Sequence, residues 1–291
     1  MLKILTDQAA DLRPEEIEAL GITVAPLYIQ FPEEEINAGD ITPDAFYDRL
    51  ERMVPEIPTT AMPSPGEFST LFKEQAKNGD EICSIHISSG LSGTLEAARS
   101  GAELSGLNIH LVDTMTLSGG QRFQVLAAAY AAKAGLSMEK IHEKLDQIRA
   151  ATELIYTLET LEYLERGGRI GRVRALAGSL LGLKPVIKVE KADGAYSTAG
   201  SARTIKRSLQ KIVDYLQDQY GSDEPLWISV MHGRFAEKAE ELAESVKEHL
   251  NVGKLEVLRI SPVLGVHTGP GIVGVAAVPL KLMQGLSLIH I

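Results

Sequence analysis

Four loops carry more hydroxyls, glycines, arginines and histidine than a connection requires. In Thr59-Thr60-Ala61-Met62-Pro63-Ser64-Pro65-Gly66-Glu67, Ser64 and Glu67 have the spacing of a capping box with Pro65 at the first helical position, which leaves Thr59 and Thr60 free for other work. Ser88-Ser89-Gly90-Leu91-Ser92-Gly93-Thr94 joins a strand to a helix, so its hydroxyls and backbone N–H groups meet at a positive helix terminus that suits an anion. The same residues equally suit an ordinary cap in a tight turn. They do not form a nucleophile elbow, because Gly90-Leu91-Ser92-Gly93-Thr94 ends in Thr where G-x-S-x-G needs Gly. Glu165 to Arg174 holds Arg166, Arg169, Arg172 and Arg174 among three glycines, a positive patch that fits an anion or a partner better than a solvated surface. It lacks the spacing of a phosphate-cradling G-x-x-x-x-G-K-[ST] loop. The fourth loop, Gly265-Val266-His267-Thr268-Gly269-Pro270-Gly271, places His267 in a turn entering the last strand, a poor position for core packing and a reasonable one for ligand contact. No H-E-x-x-H or Cys/His cluster occurs, so no metal is expected. One catalytic alternative stands: Ser92, Asp113 and His267 follow the nucleophile–acid–base order of α/β-hydrolases.

The chain that must position these groups has 291 residues and a formal net charge of −10. That balance argues against a nucleic-acid binder, which needs excess Lys and Arg to neutralise phosphates. The single Cys83 and the lack of a leader-like N-terminal pattern make the cytoplasm the expected compartment. Val263 to Leu280, the most apolar stretch, is broken by His267, Gly269, Pro270, Gly271 and Gly274, too short and interrupted for a membrane span.

Short β-type runs at Leu2 to Leu5, Thr23 to Ile29, Ile82 to Ile87 and Ile109 to Val112 alternate with amphipathic stretches at Pro14 to Leu20, Pro43 to Met53, Pro65 to Ala76 and Leu95 to Leu104. Such alternation predicts a parallel sheet covered by helices. Helices over Leu117 to Lys133 and Ser137 to Ala151 precede a strand near Leu154 to Leu158, and the pattern then changes. Lys184 to Lys191 and Ala195 to Gly200 flank Asp193-Gly194 as a hairpin. Strands at Leu226 to Met231, Lys254 to Ile260 and Ile272 to Val278, with helices at Ala202 to Tyr220 and Phe235 to Leu250, predict a mixed or antiparallel sheet with helices on one face. The fold class is therefore α/β in two domains, 1–150 and 151–281, with 282–291 expected to be a non-native or disordered tail.

Taken together, Thr6-Asp7 with Ala9-Ala10-Asp11-Leu12, Ser64-Pro65-Gly66-Glu67-Phe68, Ser88 to Thr94, Tyr163-Leu164 through Gly167-Gly168-Arg169-Ile170, Leu183-Lys184-Pro185, Ala202-Arg203-Thr204 and His267-Thr268-Gly269-Pro270-Gly271 resemble the DegV family from about Leu2 to Lys281. The resemblance implies a cytoplasmic bacterial fatty-acid-binding protein of two α/β domains. It implies no enzyme activity of its own and no cofactor, and at most transient membrane contact. One long-chain fatty acid would lie between the domains, its carboxylate presented to a separate fatty acid kinase for acyl-phosphate formation. Carried onto this chain, the family's carboxylate ligands correspond to Thr60, Ser92 and His267, with Gly93 and Thr94 beside them, and the Gly-Gly-Arg-Ile arginine corresponds to Arg169, for kinase docking or acyl-phosphate handling. One departure is visible: Ala61-Met62-Pro63 stands where the family commonly has Ser-Gln-Pro.

Overall fold

Alternation along the first strand decides the architecture: Ile4 and Leu5 are both buried, but on opposite faces and in different clusters. A sheet buried on both faces needs helices on both sides, and the computed structural model, which describes residues 1–76, 79–174 and 182–284, has them. The elements through residue 151 are β1 (Leu2–Asp7), α1 (Pro14–Leu20), β2 (Thr23–Ala25), β3 (Tyr28–Gln30), β4 (Glu35–Asn37), α2 (Pro43–Met53), β5 (Thr59–Ala61), α3 (Pro65–Gln75), β6 (Glu81–His86), α4 (Thr94–Ser105), β7 (Ile109–Asp113), α5 (Ser118–Lys133) and α6 (Met138–Ala151). Then follow β8 (Glu153–Leu158), α7 (Glu162–Arg166), β9 (Lys184–Val189), β10 (Tyr196–Ala202), α8 (Ile205–Tyr220), β11 (Leu226–His232), α9 (Ala236–His249), β12 (Val252–Arg259), α10 (Pro262–Thr268), β13 (Ile272–Pro279) and α11 (Leu280–Met283).

The first sheet is parallel, in the order β2-β1-β6-β7. Leu5 and Ile82 pack on α3 and α4 through Phe68, Phe72, Ala97 and Ala98, while Ile4, Cys83 and Ile85 face the cluster that contains Phe123 and Leu126 of α5. The second sheet, β10-β9-β8-β13-β11-β12, is antiparallel except for the β11–β12 pair. Its outer face is covered by α8 and α9 through residues such as Ile212, Leu216 and Leu242. The expectation of helices on one face only is corrected here, because α5 packs between the two sheets and covers the inner face as well.

A further correction concerns the N-terminal half. The single strand expected over Thr23 to Ile29 is two strands in different sheets, split at Pro26, which has no N–H to donate to a ladder. Its second part, β3, sits between β4 and β5 in a small antiparallel sheet that puts Thr60 opposite Ile29. At the other end, of the stretch 282–291 expected to be a tail, Met283 is buried in α11 and 285–291 lies outside the described residues.

Local signals behave as their chemistry requires. Ser64 Oγ accepts the Glu67 N–H at 3.2 Å and Glu67 Oε2 accepts the Ser64 N–H at 2.7 Å, closing the capping box. The hairpin forms, with Gly194 at φ 64° in its turn.

Asp11 ties α10 to the rest. It follows the 3-10 turn Gln8–Ala10 in left-handed backbone, receives the Ser261 N–H at 2.7 Å and the Ser118 hydroxyl at 2.5 Å, and is buried. Burial raises its pKa from 3.8 to about 6, which those hydrogen bonds only partly offset. An acid raised on folding stabilises the fold fully below its unfolded value and loses that contribution as pH rises through the folded one. Above pH 6 the ionised Asp11 therefore costs about 3 kcal/mol. Asp11→Asn, which keeps an acceptor and tolerates this backbone, should flatten the decline in stability between pH 4 and 6. Urea unfolding of both proteins across that range checks it; an unchanged slope contradicts it.

Candidate functional site

Thr60 and His267, 207 residues apart, meet because β5 and α10 lie side by side: Thr60 Oγ1 and His267 Nε2 are 2.9 Å apart. The expected turn around His267 is instead the last turn of α10, a correction with a local cause. Gly269 ends the helix at φ 71°, and a Cβ there would strike the Tyr163 ring, so this stop needs glycine. Burial, with Arg169 nearby, lowers the His267 pKa to about 4, so the imidazole is neutral at pH 7. Its Nδ1 is buried and has no partner.

Across the cavity stands the N-terminus of α4. Ser92 Oγ lies 2.8 Å from Thr94 Oγ1 and accepts the Thr94 N–H at 3.3 Å, so both hydroxyls sit at the positive end of the helix with Gly93 between them. The loop is held from below, since Ser88 Oγ donates to Gly194 O at 2.9 Å and a Cβ on Gly90 would collide with Asp193 O. Arg169 completes the rim: exposed, it donates to Gly167 O at 2.7 Å and borders both this cavity and the open cleft beside it.

All six residues singled out from the sequence, Thr60, Ser92, Gly93, Thr94, Arg169 and His267, thus line one cavity of about 360 Å³. Sequence reasoning missed its remaining walls. Met62 hangs over Gly93, and Leu27, Leu117, Tyr196 and Leu264 make the sides. A small apolar chamber of about 30 Å³ shares Leu117, Tyr196, Leu264 and Thr268 with this cavity and reaches inward to Leu154, Tyr156, Met231 and Ile272. No periodic signal marks these residues, because each also belongs to an ordinary core pattern.

The hydrolase relay is not assembled. Asp113 accepts the Ser89 hydroxyl at 2.5 Å and the Met115 N–H at 2.9 Å, while Ser92 pairs with Thr94 and His267 with Thr60. A serine base needs its orienting acid on the other ring nitrogen, and the one at His267 is unpartnered. Among the described residues no group of three or more His, Cys, Asp and Glu side chains could hold a metal, and no helix is long and apolar enough to cross a membrane.

A parallel sheet and a mixed sheet with a cavity between them, polar at one end and apolar at the other, define a two-sheet α/β protein. The family model described as "Uncharacterised protein, DegV family" matches residues 1–280, and the chain belongs to that family. A DegV domain-containing protein of Deinococcus radiodurans is 38% identical over 276 residues, 95% of each chain. Among solved structures, a fatty-acid-binding DegV family protein from Thermus thermophilus has 30% identity and a TM-score of 0.89, covering 96% of this chain and 99% of its own. A stearic-acid-binding protein from Eubacterium ventriosum has 29% identity and a TM-score of 0.88, covering 98% of this chain and 100% of its own.

Proposed function

We propose that this chain is a fatty-acid carrier that presents the carboxylate of a long-chain acid to a separate kinase. The observation that carries the reading is the polarity gradient of the cavity, from two hydroxyls, an imidazole and a helix N-terminus to an apolar interior. A carboxylate removed from water needs such donors, and each buried methylene of its chain contributes about 0.8 kcal/mol. The fatty-acid ligands of the Thermus and Eubacterium proteins support the same choice. In this reading Thr60, Ser92 and His267 hold the carboxylate, with Gly93 and Thr94 supplying the helix end. The chain is then no enzyme and uses no cofactor, and its expected setting is the cytoplasm.

Acyl-phosphate formation needs a partner. A carboxylate oxygen attacks the γ-phosphorus of ATP, an O–P bond forms, the bond to ADP breaks, and the kinase supplies the nucleotide and its magnesium. Arg169, exposed at the rim, is suited to the kinase or to the new phosphoryl group. Arg169→Ala should therefore leave palmitate uptake by delipidated protein nearly intact and reduce acyl-phosphate formation by added kinase about tenfold or more. Equal loss of uptake and phosphorylation would place the arginine in the lipid site instead.

A further inference from the structure

A second cleft, of about 440 Å³, opens where the end of β12 meets the segments after β1 and β4. It shares no lining residue with the polar cavity and only Ile260 with the apolar chamber behind it. The Gln8–Ala10 turn and α10 lie between them, with Ala9, Val263 and His267 on one side and Gln8, Asp11 and Pro262 on the other. Arg259 and Ser261 line this cleft with buried polar atoms that have no hydrogen-bond partner, Arg259 Nε and Nη2 and Ser261 Oγ, while Arg13 Nε beside them has only Glu15 at 3.6 Å.

The arginine pattern is specific. Arg259 Nη1 is taken by Asp44 at 2.9 Å, which leaves the Nε–Nη2 edge, the pair of parallel N–H groups that matches two oxygens of a carboxylate or phosphate. The nearby acids cannot use it. Asp7 is occupied by Ala9, Ile87, His86 and Gln121, and Asp11 by Ser118 and Ser261. Glu16 and Glu256 are committed to Arg122. What remains unspent is donor capacity, the two N–H sites of the Arg259 edge and the Ser261 hydroxyl, and buried donors call for an acceptor. Leu12, Ile17, Ile41 and Leu258 make the rest of the wall apolar.

We propose that this cleft binds a small organic oxyanion with an apolar body, its carboxylate or phosphate held by the Arg259 Nε–Nη2 edge and the Ser261 hydroxyl. The test is calorimetric titration of the intact protein with benzoate and, separately, phenyl phosphate at fixed ionic strength, which distinguishes the two oxyanions. At least one should bind at millimolar concentration. Arg259→Lys, which keeps the charge and loses the fork, should weaken it about tenfold or more, and Ser261→Ala, which keeps the Asp11 contact through its N–H, several-fold. Palmitate occupancy should not change in either variant, and a Thr60→Val, Ser92→Ala protein should bind the probe as the parent does. Absence of binding overturns the proposal, as does binding undiminished in Ser261→Ala, a readout that stands even if Arg259→Lys fails to fold. Loss of the probe in the Thr60→Val, Ser92→Ala protein also overturns it, by placing the probe in the lipid cavity.

Discussion

Arg122→Met should lower the unfolding free energy by about 3–5 kcal/mol, the usual consequence of removing one partner from a buried ion network. Arg122 is fully buried on α5 between the two sheets, and its guanidinium bonds Glu16 of α1 and Glu256 of β12. Burial pushes both carboxyls up, yet the charge and hydrogen bonds of Arg122 outweigh it and hold both below the ordinary glutamate value. Without the arginine two buried carboxylates face each other, left with one cation, Arg13 Nη2 at 2.9 Å from Glu16 and 3.8 Å from Glu256, and with the neutral donors Arg13 N–H on Glu16 and Trp227 and Ser229 on Glu256. Adding Glu16→Gln and Glu256→Gln should recover most of the loss, because the cost lies in the uncompensated charges. Urea denaturation of the three proteins decides it; a single-variant loss below about 1 kcal/mol would mean that water reaches the network and the two sheets do not depend on it.

The second large effect concerns the lipid site. Removing the Thr60 and Ser92 hydroxyls takes two donors from a carboxylate in a desolvated site, and each such bond is worth about 1.5–3 kcal/mol. Thr60→Val with Ser92→Ala should therefore weaken palmitate binding about 100-fold or more. Binding of hexadecanol, which has the same chain and no charge, should change little, and the melting temperature of the empty protein should stay close to the parent's. Equal loss for acid and alcohol would point to a collapsed cavity rather than lost carboxylate recognition.

Much of this was legible in the sequence where one segment carries the signal. The Ser64–Glu67 box, the Asp193-Gly194 hairpin and the βα alternation each act through neighbouring residues, and the structure places them as their chemistry requires. Thr60, Ser92, Gly93, Thr94, Arg169 and His267 were legible because their segments hold more hydroxyl, glycine and basic residues than a connection requires and because the family resemblance singles them out. What was not legible is held together over distance. The β3–β5 sheet is built from three-residue strands, too short for a period. His267 looked like a turn residue because Gly265 and Gly269-Pro270-Gly271 surround it, but Pro262 at the helix start and the Gly269 stop make the intervening turns helical. His86, at the end of β6, is fully buried between Asp7 at 2.9 Å, 79 residues away, and Ser84 at 2.7 Å, a pairing no local pattern marks. Arg122 lies in a helix with only one other charged residue, Lys133, a hint that this segment is buried on all sides.

The most direct test of the carrier reading is mass spectrometry of the intact protein under native conditions, followed by analysis of the small molecules released on denaturation. The account predicts one long-chain fatty acid per chain, retained through purification and lost from the Thr60→Val, Ser92→Ala protein. A chain that is empty as purified and takes up neither palmitate nor oleate when either is added would contradict it, and would leave the DegV fold with a different ligand beneath Met62.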